Sequence, residues 1–106
     1  MSNQPLSEQY RLAALEWVEL DAAARLLEDT KSVQLAQRMK ALDGAPSVAS
    51  AERDVKATPE WEADIKAMVE ARTKANHSKV KLEWIRMRHA EQQSFEATKR
   101  AEMKLT

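Results

Sequence analysis

Cysteine is absent from these 106 residues, so the chain has no disulfide framework, no thiolate metal ligand and no thiol nucleophile, a usage that suits a reducing cytoplasm. Glycine occurs once, at Gly44, which leaves no phosphate-cradling loop and no Gly-flanked serine of the nucleophile-elbow kind. Net charge is lacking too: 17 basic side chains stand against 17 acidic ones, and no global field steers the chain toward nucleic acid or anionic lipid. No apolar run approaches the roughly 18 residues that a membrane span needs, and the polar stretch 1–10 lacks the apolar centre of a secretion signal. The expectation from these absences is a soluble intracellular protein with no membrane partner.

What is present favours helix. Ala, Leu, Glu, Lys, Arg and Gln dominate, with only three prolines to break their runs, and 106 residues supply apolar material for one core at most. The fold class read from this is all-α, a single domain over 1–106. A first helix spans 7–42, opened by Ser7 as a hydroxyl cap and closed by Asp43-Gly44-Ala45-Pro46, where glycine tolerates the left-handed conformation and proline cannot continue a helix. The connector 43–58 has room for a short helix, with Glu52 and Lys56 at ion-pair spacing. Thr58-Pro59-Glu60 then offers a cap, a proline at the first helical position and a carboxylate near the positive end of the dipole, opening a helix over 59–103.

Stepping each helix at about 100° per residue gives two apolar stripes on both. One stripe, Leu6, Tyr10, Ala13, Trp17, Leu20, Ala24, Leu27, Leu35, Met39 and Leu42, meets Trp61, Ile65, Met68, Val69, Asn76, Val80, Trp84, Met87, Ala90, Ala97 and Ala101 if the chain folds back as an antiparallel hairpin of two long helices. Trp17 then lies near Trp84 and Met87, Met39 near Ile65, and Leu35 near Met68. Lys31 and Asn76 interrupt that seam as polar residues, with Arg72 at its border, and would either fix its register or satisfy one another. The second stripe is Leu15, Val18, Ala22, Leu26 and Val33 on the first helix and Ala71, Ala75, Ser78, Leu82, Ile85 and His89 on the last. A lone hairpin would leave it in water, and a contiguous apolar face of that kind usually marks an interface. Assembly with copies of itself, as a dimer or tetramer resembling a helical bundle or coiled coil, is the expectation.

Chemistry-bearing constellations are scarce. His77 and His89 have neither a carboxylate nor a second histidine three or four residues away, so neither metalloprotease nor di-iron spacing occurs. No catalytic residue, metal site or cofactor is assigned, and the chain is not expected to be an enzyme. The strongest local bias lies in 71–90, where Arg72, Lys74, Lys79, Lys81, Arg86 and Arg88 face one acid, Glu83. These cations could grip a phosphate backbone if a dimer united half-patches from two chains, or simply lay their stems over an apolar seam.

Residues 10–32, from Tyr10 through Trp17 to Ser32, together with Met68-Val-Glu-Ala-Arg-Thr-Lys-Ala-Asn76 and Leu82-Glu-Trp-Ile-Arg-Met-Arg88, resemble small phage and prophage proteins of unassigned role that are often encoded among recombination and replication genes. The resemblance implies a bacterial cytoplasm and a partner in phage DNA metabolism or host defence, and attaches no activity or site residue. The functional expectation is therefore a non-enzymatic, self-associating helical scaffold or adaptor that works by contact with another protein. Two alternatives are a nucleic-acid-binding recombination or annealing accessory using 72–88, and a small inhibitor of a host nuclease or defence complex.

Overall fold

A computed structural model describes residues 4–105; residues 1–3 and 106 of the single unit expected over 1–106 lie outside it. The described residues form four α-helices and no strand: α1 (Leu6–Asp29), α2 (Lys31–Ala41), α3 (Val48–Lys56) and α4 (Pro59–Leu105). The molecule is a rod of 86 × 22 × 17 Å. Its length is set by α4, whose 47 residues at 1.5 Å each span about 70 Å.

The punctuation around α4 forms as its sequence requires. Thr58 accepts a hydrogen bond from the Trp61 N–H at 3.2 Å through Oγ1, and donates from that hydroxyl to the Val55 carbonyl at 2.6 Å. One threonine thus opens α4 and ties it to the end of α3. Ser47 caps α3, accepting from the Ser50 N–H at 3.1 Å, and Lys56 pairs with Glu52 at 2.8 Å. Gly44, at φ 81°, takes the left-handed turn between α2 and α3. Ala51 and Val55 are the buried face of α3, which packs mainly on α2 and touches α4.

Three boundaries differ from the sequence reading. Pro5, not Ser7, stands at the start of α1, and its carbonyl accepts from the Glu8 and Gln9 N–H groups; Ser7 is already inside the first turn. The helix expected over 7–42 is interrupted at Thr30, which leaves helical geometry at ψ 4° and donates its hydroxyl to the Leu26 carbonyl at 2.6 Å. A threonine hydroxyl that competes for the carbonyl four residues back bends helices, and the Gln34 N–H still bonds the Thr30 carbonyl, so this is a kink and not a loop. At the other end α4 continues to Leu105.

Ion pairs fix how α1 and α2 lie against α4. Arg38 meets Asp64, Arg72 meets Asp21 and Glu28, and Lys81 meets Glu16. Residues rising along α4 therefore meet residues falling along α2 and α1. Ala13, Ala24, Ala75, Ser78 and Ile85 are buried between them, with Trp61 at the α2 end. On α4 this seam runs Trp61, Asp64, Met68, Ala71, Ala75, Ser78, Leu82, Ile85 and His89, all buried or half-buried and spaced alternately three and four residues apart. That is a 3.5-residue period, which winds slowly backward relative to a straight helix.

On α4 the two faces are exchanged relative to the sequence expectation. Its expected core beyond Met68, namely Val69, Asn76, Val80, Trp84, Met87, Ala90, Ala97 and Ala101, is exposed, and the stripe expected to face other subunits is the one that packs on α1. The physical reason is fit. Ala71, Ala75 and Ser78 let α1 approach closely where Trp84 and Met87 would hold it away, and the Ala71 face carries Arg72 into reach of two carboxylates on α1. Trp84, 53 % exposed, does not lie in a seam with Trp17, and Lys31 and Asn76 are exposed rather than buried register-setters.

Candidate interaction surface

The cross-helix clasps account for most of the perturbed charge. Arg72 donates from Nε and Nη2 to Glu28 at 2.8 and 2.7 Å and from Nη1 to Asp21 at 2.8 Å. Those hydrogen bonds raise the guanidinium pKa and hold both carboxyls below the usual carboxylate range. Arg38 grips Asp64 through two donors at 2.9 and 3.1 Å, with Gln34 adding a longer third at 3.4 Å, and Asp64 is lowered by the same cause. These groups hold the helices together. A cavity of about 380 Å³ beside Arg38, lined also by Gln37, Leu42, Val55 and Glu60, is open to solvent where α2, α3 and α4 meet.

Arg72 is thus taken out of the basic set expected to contact nucleic acid. Lys81 reaches Glu16 at 3.5 Å, and the Arg88 guanidinium sits 5.0 Å from the centre of the Trp84 ring. Lys74, Lys79 and Arg86 are exposed, but Lys79 and Arg86 lie on one side of the seam and Lys74 on the other, so the six do not converge on one surface of the chain. Arg86 and His89 line a small groove with Ser7 and Tyr10.

Large apolar side chains are uncovered as well. On α1 Leu15, Val18 and Leu26, and on α2 Val33, are each more than half exposed, as the sequence reading placed them. Ala22 lies in the same row and is exposed as well. On α4 the uncovered row is Val69, Val80, Trp84 and Met87, with Thr73 and Asn76 between them. Both rows lie opposite the seam on their own helix. The α1–α4 pair therefore carries two apolar edges that point in opposite directions. Beyond α1, residues 91–105 of α4 are exposed throughout, and Phe95 and Leu105 add apolar area there.

The signal for the α4 edge was present in the sequence as the larger of two stripes, and its size caused it to be read as core. Among the described residues no helix is long and apolar enough to cross a membrane. Comparison with known proteins finds no matching family model, no matching curated protein and no matching solved structure.

Proposed function

We propose that the chain is a non-enzymatic helical scaffold or adaptor, phage-derived and cytoplasmic, whose antiparallel hairpin is the unit of a larger assembly of its own copies. The assembly presents helical surface to another protein in phage DNA metabolism or in a host complex. The observation that carries this reading is the pair of uncovered edges, centred on Leu26 (64 % exposed) and Trp84 (53 % exposed). Rows of large side chains at helical spacing on both outer faces exceed the scattered apolar residues that any soluble surface shows. A two-helix seam built largely of alanine and serine also buries little area, so covering the edges adds stability that the isolated chain lacks.

Light scattering coupled to size exclusion tests it: at micromolar concentration the mass should be a multiple of the 12.0 kDa chain, and a monodisperse monomer would remove the proposal's support. The nucleic-acid reading is weakened by the clasp that holds Arg72, and it makes a separate demand. DNA affinity should fall steeply with salt, so the absence of a mobility shift at low salt disposes of it without touching the scaffold reading.

A further inference from the structure

Resting on the self-association proposed above, we infer that the contact is heterologous: the outer edge of α1 in one copy packs antiparallel on the outer edge of α4 in the next. Three observations converge on that pairing. The edges face opposite ways, so a two-fold contact between like edges would cover one and leave the other in water.

The spacing matches as well. Along α1 the row Leu15, Val18, Ala22, Leu26 advances by three, four and four residues, and along α4 the row Met87, Trp84, Val80, Asn76 retreats by three, four and four. Two antiparallel rows with the same step pattern stay in register, residue against residue, over the whole contact.

Charge decides among the pairings. Beside the outer row of α1 stand Glu19 and Asp29, since Glu16, Asp21 and Glu28 turn to α4 on the inner face and Glu8 to Arg11, whereas Lys79, Lys81 and Arg88 flank the outer row of α4 with Glu83 as the one acid among them. An α4–α4 contact, in either direction, sets cations of one copy against cations of the other, and an α1–α1 contact sets acids against acids. An α1–α4 contact brings Glu19 toward Lys81 and Arg88. The chain already uses this chemistry on its inner face, where Asp21 and Glu28 hold Arg72 and Glu16 reaches Lys81. Because each copy offers one edge of each kind, the contact propagates head to tail and yields a ring or an open filament.

Two variants separate the cases, both at exposed positions away from the seam: Leu26→Glu removes the α1 edge and Trp84→Glu removes the α4 edge. Each alone should remain monomeric in sedimentation velocity, with association weakened about a hundredfold or more by the charge it would bury, and with an unchanged far-ultraviolet circular dichroism spectrum. Mixed in equal amounts, they should form a dimer of twice the 12.0 kDa chain mass, because Leu26→Glu keeps its α4 edge and Trp84→Glu keeps its α1 edge. Persistence of the oligomer in either single variant, or a mixture that stays monomeric, overturns the heterologous contact while leaving self-association standing. A wild-type chain that is itself monomeric overturns both. If either variant loses helicity, Val18→Glu and Val80→Glu probe the same two edges.

Discussion

Replacing Ile85 with Ala and, separately, its neighbour Trp84 with Ala tests the direction in which α4 faces. Ile85 is 4 % exposed in the seam with α1, and Trp84 is on the opposite side of the same helix. Truncating a buried isoleucine to alanine costs about 2–5 kcal/mol in well-packed cores; in a seam only two helices deep, partial collapse places the expected loss near the lower end, at roughly 2–3 kcal/mol. For a domain of this size that is a drop of roughly 10–20 °C in melting temperature. Removing Trp84 takes away little that the isolated chain covers, and the expected loss is below about 1 kcal/mol. Thermal and urea unfolding, followed by circular dichroism over a dilution series, separates fold from assembly, since any contribution of Trp84 through self-association fades as the chain is diluted. A Trp84→Ala variant that is as destabilised in the dilute limit as Ile85→Ala would refute the assignment of the seam.

Other perturbations follow from the same contacts. Thr58→Ala removes the cap on Trp61 and should lower stability by about 1 kcal/mol, read from urea midpoints, and an unchanged midpoint would contradict the capping role. Ser78 is buried, and its hydroxyl has no hydrogen-bond partner among the described residues, so Ser78→Ala should leave the melting temperature unchanged or raise it by a few degrees; a clear fall would mean the hydroxyl is satisfied. Asp21, Glu28 and Asp64 have lowered pKa values in the folded chain. The stability they contribute is therefore fully present above the ordinary carboxylate range and is lost as pH falls below about 4. Melting temperature against pH should show that acid limb, and Arg72→Met, which removes the partner of two of the three carboxylates, should shrink it; an acid limb of equal size in the variant would sever the link to Arg72.

Local chemistry made much of the architecture legible. Thr58-Pro59 states the start of α4 in adjacent residues, and Gly44 with Pro46 states the end of α2, because caps and backbone constraints act within a few positions. The uncovered row on α1 was equally readable, since Leu15, Val18 and Leu26 have no competing role. On α4 the same method failed at Val80, Trp84 and Met87. Two apolar rows share that helix, and bulk hydrophobicity does not say which of them α1 will choose. The choice was made by small side chains at Ala71, Ala75 and Ser78, which permit close approach, and by Arg72 finding two carboxylates. Both are properties of a pair of helices and not of one. The kink at Thr30 escaped for a related reason: threonine is common within helices, and its sequence context does not reveal whether its hydroxyl bonds back to Leu26.

In the proposed assembly the outer row of α4 is covered by another chain. Hydroxyl-radical footprinting over a concentration series reports it directly, with Trp61, 6 % exposed, as the internal reference. Labelling of Trp84 and Met87 should decline as the chain is concentrated while Trp61 stays protected throughout. Trp84 and Met87 labelled to the same extent from nanomolar to high micromolar chain would contradict the account.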